Sequence, residues 1–148
     1  MTRLSPALPT SLLLTCLLLA LAAGAHAEGI PRTSSPEGAE VYFISPHDGD
    51  VVKSPVTVRF GLRGMGVAPA GTEKAATGHH HLIIDAPLPD PGLPIPADAK
   101  HLHFGGGQTQ TTLELPPGDH TLQLVLGDAR HVPHDPPVFS ERITIHVQ

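Results

Sequence analysis

Short segments in which apolar and polar residues alternate are the feature that most limits the folds open to this chain. In PVTVRFGL (55–62), Val56, Val58, Phe60 and Leu62 fall on one face of an extended chain, because successive side chains of a β-strand point to opposite faces. Six further segments have a strand-like pattern: EVYFIS (40–45), HHHLIIDA (79–86), HLHF (101–104), TQTTLEL (109–115), HTLQLVL (120–126) and ERITIHV (141–147). Turn-forming clusters separate them. The pattern predicts an all-β, immunoglobulin-like or cupredoxin-like antiparallel sandwich of about seven strands.

The N-terminus has the pattern of an export signal. An apolar run from Leu12 to Ala23 is followed by Ala25-His26-Ala27, the small-x-small pattern at which signal peptides are cleaved. The run is shorter than the ~20 residues that a membrane span needs. We therefore predict a signal peptide over 1–27, a periplasmic or secreted protein, and no membrane span after cleavage.

The rest of the chain is predicted to form one domain. Residues 28–39 (EGIPRTSSPEGA) are rich in proline, serine and glycine and lack periodicity, which predicts a flexible mature N-terminus. Residues 40–148 contain all seven strand candidates and no internal repeat, and are predicted to be a single β-sandwich domain.

Composition excludes several kinds of function. The only cysteine, Cys16, lies inside the apolar run, so the predicted mature chain has no disulfide and no thiolate nucleophile or ligand. The formal net charge is −5 and only 3% of residues are aromatic, without a basic stripe, which argues against nucleic-acid binding. The lipase-type GxSxG motif is absent, and nothing in the sequence positively indicates an enzyme.

Histidine is unusually frequent. The chain has eleven, of which only His26 precedes residue 28, and most of the others fall in three groups. On a strand, residues two apart lie about 6.6 Å from each other on one face, so their imidazoles can converge on one ion. This applies to His101 and His103, and to His79 and His81. His80 must point to the opposite face, so the three consecutive histidines cannot all bind one ion from a regular strand.

A third pair lies in the loop GDARHVPHDPP, from which a ligand could fold onto ligands already placed on strands. The candidate metal ligands are His81, His101, His103, His131 and His134. Asp85 or Asp128 could orient an imidazole by accepting a hydrogen bond from the ring nitrogen that does not bind the metal. Taken singly, each of these histidines is more typical of a surface or hydrogen-bonded group, because the spacing is not a zinc motif such as HExxH. Three others, His47, His120 and His146, are predicted to be structural.

The donor type narrows the choice of metal. Imidazole without thiolate suits copper(II), zinc or nickel, and excludes calcium and a blue-copper centre, which requires cysteine. Three consecutive glycines in HFGGGQT (103–109) precede no helix and have no lysine beside them, so a phosphate-binding loop is not predicted. They are expected to form a tight corner, or else to let a ligand approach beside His101 and His103.

The runs GHHHLIID, HLHFGGGQTQTTLELPPGDHTLQLVLGD and HVPHDPPVFSERITIHV, between about Gly78 and Val147, resemble a family of bacterial exported domains, domain of unknown function 4399. The resemblance implies a small secreted β domain without an established activity.

These observations predict an exported histidine-rich domain that binds copper or zinc for sequestration, delivery or envelope stress protection. The alternative is a module that binds another envelope protein or takes part in assembly, with histidines that only form hydrogen bonds. Metal-assisted hydrolysis would require an ion with an open coordination position. Three imidazoles within one coordination sphere would favour metal binding over the alternative.

Overall fold

The structure, a computed structural model, describes residues 30–148, so the predicted signal peptide 1–27 lies outside the described residues. Within residues 30–148 the chain forms nine strands and no helix. They are β1 (Glu40–Ser45), β2 (Val51–Val52), β3 (Val56–Arg63), β4 (Gly66–Val67), β5 (Thr77–Ile84), β6 (His101–His103), β7 (Gln110–Leu113), β8 (Gly118–Gly127) and β9 (Ile143–Val147). The described residues contain no helix that is long and apolar enough to cross a membrane.

The strands form two sheets, which confirms the predicted all-β sandwich. One sheet has the order β1-β3-β7, and the other follows β2-β9-β8-β5-β4, with β6 paired to β5. The long pairings are antiparallel, whereas the two-residue strands β2 and β4 pair in parallel with β9 and β5. Strands β2 and β4 were not predicted, because two residues are too few to show a period.

The inner faces of the two sheets share one apolar core. The alternation in β3 buries Val56, Val58 and Phe60 against Leu82 of β5 and Leu124 of β8. Burying one such side chain stabilises the fold by about 1.5–3 kcal/mol. The core therefore fixes the position of β5 in the larger sheet. The outer face of β5, which points away from this core, has other residues.

The outer face of β5 is covered by loops rather than by a sheet. Ile83 on β5 and Val125 on β8 form a small apolar cluster there with Ile95, which lies in the proline-rich loop between β5 and β6. The backbone N–H of Ile95 donates to the carbonyl oxygen of His131 at 2.7 Å. The two loops that flank the outer face are thus hydrogen-bonded to each other.

The described part of the segment predicted to be flexible runs beside the loop that follows β8. The N–H of Ser35 donates to the carbonyl oxygen of Asp135 at 3.1 Å, and the N–H of Asp135 donates to that of Thr33 at 2.9 Å. The guanidinium of Arg32 donates to the carbonyl oxygen of Pro133 at 3.1 Å. These hydrogen bonds connect this segment to the loop that contains His131.

Candidate metal centre

Two neighbouring strands place three histidines on the outer face of the larger sheet. His81 of β5 lies directly opposite His103 of β6 in the antiparallel ladder. His79 is two residues earlier on β5 and therefore shares the face of His81. His80 points the other way, and its ring packs against Phe60 in the core with ring centroids 4.8 Å apart.

The three rings approach one another closely. Their centroids are separated by 4.8 Å for His79 and His81, 5.0 Å for His79 and His103, and 5.1 Å for His81 and His103. One ring nitrogen from each lies within 4.8 Å of the others, so the three could hold a metal ion together. We call these three residues the histidine tripod.

A fourth ring comes from the loop after β8. The ring centroid of His131 lies 5.0 Å from that of His79, 4.7 Å from that of His103 and 6.2 Å from that of His81. The tripod and His131 together are called the histidine cluster below. With nitrogen–metal distances of about 2.0–2.1 Å, four rings on one tetrahedral ion have centroids roughly 5.2 Å apart. Five of the six separations in the cluster are near this value.

A tight turn built on Asp128 presents His131. The Asp128 carboxylate accepts hydrogen bonds from the N–H groups of Arg130 at 2.8 Å and Val132 at 3.0 Å, and from the Thr33 hydroxyl at 2.7 Å. The N–H of His131 donates to the Asp128 carbonyl oxygen at 2.9 Å. His131 has a φ of 66°, a left-handed conformation that few non-glycine residues adopt.

Two glycines leave the space that the rings occupy. A Cβ on Gly127, which lies opposite His79 on β8, would come within 2.7 Å of Cε1 of His81. A Cβ on Gly105 would come within 2.6 Å of Nε2 of His103. Any larger residue at either position would have to displace an imidazole of the tripod.

Burial keeps the inner rings neutral. His79 and His81 are each only 1% exposed, whereas His103 is exposed and His131 is half-buried at the opening. Burial, with repulsion from the other rings, lowers the pKa of His79 to about 4 and that of His81 to about 2. The Asp128 carboxylate acts in the opposite direction on the pKa of His79, so it favours positive charge there. Neutral imidazole is the form that binds metal.

The buried ring nitrogens lack hydrogen bonds within residues 30–148. This applies to both nitrogens of His79 and to Nδ1 of His81. Buried polar atoms are nearly always hydrogen-bonded, because leaving them unpaired costs free energy. Two adjacent buried imidazoles with free lone pairs are what a metal ion would require. The ring nitrogens of His80 also lack a partner of normal hydrogen-bond geometry, but that ring lies in the core against Phe60, beside the backbones of Gly61 and Gln108.

Two of the five predicted ligands lie elsewhere and have other partners. His101 is opposite Ile83, one pair further along the β5–β6 ladder, and its Nδ1 is 2.9 Å from the Asp98 carboxylate. His134 is fully buried, with Nε2 at 3.1 Å from the carbonyl oxygen of Thr77. The structure therefore brings together His81, His103 and His131 of the predicted set, and adds His79.

The remaining predictions around the site concern aspartates and the other histidines. Asp85 contacts His120 at 2.7 Å and not a ring of the cluster, so of the two aspartates only Asp128 lies beside it. The histidines predicted to be structural each lie near an aspartate, in the pairs His47–Asp50, His120–Asp85 and His146–Asp119.

His79 is the residue of the tripod that the sequence-based set of candidate ligands did not include. Its parity with His81 indicated it, since residues two apart share a strand face. No pattern in the sequence indicated that Gly105 and Gly127 leave space for imidazole rings. That role depends on where the rings of His103 and His81 lie in the folded protein.

Comparison with known proteins identifies a family. The family described as Domain of unknown function (DUF4399) matches residues 58–148, a range that includes all four residues of the histidine cluster. No curated protein and no solved structure matches the chain.

Proposed function

Since this chain belongs to the DUF4399 family, a domain of unknown function, we propose its function from the site itself: it binds a transition-metal ion, copper or zinc, through the histidine cluster. The observation that carries the proposal is the meeting of four imidazoles from two strands and a loop, with ring centroids 4.7–6.2 Å apart. Imidazole is a preferred ligand of both metals.

The alternative is a module whose histidines only form hydrogen bonds. It accounts for the histidines outside the cluster better than for those within it. His101 and His134 each have a hydrogen-bond partner, Asp98 and Thr77 respectively. In the cluster, by contrast, buried nitrogens of His79 and His81 have no such partner within residues 30–148. Mutual packing of neutral rings gives no reason for leaving those lone pairs free, whereas metal binding does.

The cluster is better suited to binding an ion than to catalysing hydrolysis. Catalytic zinc sites keep one coordination position for water, whereas closed sites have four protein ligands, and His131 can provide the fourth here. A hydrolase also needs a carboxylate or another base beside the water. The nearest buried carboxylate, Asp128, already accepts hydrogen bonds from Thr33, Arg130 and Val132.

We further propose that the protein acts after export, in metal sequestration, metal delivery or protection of the envelope against metal stress. Support comes from the apolar run and cleavage pattern that precede residue 28. N-terminal sequencing of the protein recovered from the cell envelope should give Glu28 as the first residue. An intact Met1 in that fraction would contradict this part of the proposal.

The experiment is metal analysis of the purified protein, followed by titration with Zn²⁺ and with Cu²⁺. His103→Ala is the best test variant, because the side chain is exposed and its loss should not unfold the protein. His101→Ala is a matched control, since it removes an imidazole from the same strand and face. We expect one ion per chain in the wild type and the control, and at least tenfold weaker binding in His103→Ala. Absence of binding by the wild type would overturn the proposal, as would equal affinities of the two variants.

A further inference from the structure

We infer that the site is built for an ion that accepts tetrahedral coordination, Zn²⁺, rather than for one that prefers a plane of four ligands, Cu²⁺. The inference rests on the proposed function and specifies its metal. It is carried by the histidine tripod, whose three rings project from one sheet face.

The separations within the tripod exclude a planar arrangement of its rings. Any three corners of a square include one opposite pair, and opposite imidazoles on one ion have centroids roughly 6.4 Å apart. The tripod separations are 4.8, 5.0 and 5.1 Å, so no two of its rings are opposite. A Cu²⁺ ion could place at most two of the three in its plane, whereas Zn²⁺ could use all three equally.

The sheet limits how far the tripod can open toward a plane. His79 and His81 are on one strand, and His103 is held opposite His81 by the ladder. The inner side of β5 is fixed by the core, where Leu82 is completely buried. Displacing a ring sideways would also bring it into Gly105 or Gly127, whose backbones already lie against His103 and His81. The fold therefore restricts the arrangements that the three rings can adopt around an ion.

His131 completes the coordination from the open side. Its ring is 6.2 Å from that of His81, which is further than the roughly 5.2 Å of tetrahedral corners. His131 is half-buried on a loop, and the completed site requires its side chain to rotate so that the ring moves toward the ion. His131 is thus the ligand that adapts, and the three rings on the sheet determine the geometry to which it adapts.

The test compares the protein with a flexible ligand of related composition, a synthetic peptide GHHHLIID that corresponds to residues 78–85 and is acetylated at its N-terminus, so that its amine cannot chelate copper. Affinities of both for Zn²⁺ and Cu²⁺ are measured by competition with a chromophoric chelator. Divalent copper normally binds nitrogen ligands more tightly than zinc. We expect the preference for Cu²⁺ over Zn²⁺ to be at least tenfold smaller in the protein than in the peptide.

Substitution with Co²⁺ gives a second readout, which reports coordination number directly. The Co²⁺ protein should show the intense visible absorption of a four-coordinate ion. A weak six-coordinate spectrum, or the same copper preference in protein and peptide, would overturn the inference and leave metal binding intact. If neither Zn²⁺ nor Cu²⁺ binds to the protein, the proposed function itself fails.

Discussion

His103 lies directly across the β5–β6 ladder from His81, and the two rings are 5.1 Å apart although one is exposed and the other is buried. This relationship defines the site, because it joins the buried part of the histidine cluster to its opening. Of the two rings nearer the surface, His103 and His131, His103 is the one placed by a strand.

The first prediction concerns the glycine beside His103. Gly105→Ala should weaken metal binding about tenfold or more, because its Cβ would overlap the His103 ring and displace that ring relative to His79 and His81. The exposed ring can move outward, so the melting temperature of the metal-free protein should change little. Isothermal titration and thermal unfolding measure the two effects separately.

Gly106→Ala is the matched control for this variant. Its Cβ would meet only the end of the Gln108 side chain, which can move. We expect wild-type metal affinity in Gly106→Ala. Equal losses of affinity in the two variants would mean that the glycines matter for the loop and not for the position of His103.

The second prediction concerns His131. His131→Ala should still bind metal through the histidine tripod, with affinity reduced about tenfold and with faster release of the ion, because water replaces the loop ligand. Stopped-flow transfer of Zn²⁺ to excess chelator measures the release. An unchanged release rate would show that His131 does not contact the ion, and complete loss of binding would show that the tripod is insufficient.

The third prediction concerns the pair formed by Asp85 and His120. The hydrogen bond that the His120 ring donates to the Asp85 carboxylate raises the pKa of His120 above its ordinary value of 6.5, although burial opposes the shift. The pKa of Asp85 falls below its ordinary value of 3.8, because hydrogen bonds from His120 and Thr121 outweigh the effect of burial.

The sign of the effect on stability follows from both shifts. The contribution of His120 is complete below pH 6.5 and is lost as the pH rises through its raised pKa. The contribution of Asp85 is complete above pH 3.8 and is lost as the pH falls through its lowered pKa. The pair therefore stabilises the fold most in mildly acidic solution, between these two values.

Asp85→Asn should accordingly lower the free energy of unfolding by about 1–2 kcal/mol near pH 5.5, and by less near pH 8.5. Asp119→Asn is the control, since the Asp119–His146 pair is more exposed and should contribute little at either pH. Chemical denaturation at the two pH values measures the difference. A loss in Asp85→Asn that does not depend on pH would contradict the assignment.

The sequence predicted the strands well because their evidence is local. The apolar alternation in PVTVRFGL and HTLQLVL identified β3 and β8, whose Phe60 and Leu124 are indeed in the core. The same parity placed His79 and His81 on one face and His80 on the other. A few consecutive residues are enough to indicate where a strand lies in the sequence and which face each of its side chains occupies.

Which histidines belong to the site depends on contacts between distant parts of the chain, and these contacts could not be predicted from the sequence. The register of β5 and β6 decides that His103, and not His101, lies opposite His81. The turn on Asp128 decides that His131 reaches the cluster, whereas His134 is directed to the carbonyl oxygen of Thr77. A two-residue slip in register would place His101 opposite His81 instead of His103, without changing any local pattern.

The central claim is that imidazoles from β5, β6 and the loop after β8 bind one ion. X-ray absorption at the zinc edge of the Zn²⁺-loaded protein tests it most directly. The account predicts a first shell of nitrogen at about 2.0–2.1 Å with the outer-shell scattering of three or four imidazoles, reduced by one ring in His103→Ala and unchanged in His101→Ala. A shell dominated by oxygen, or a spectrum that does not differ between His103→Ala and the wild type, would contradict it.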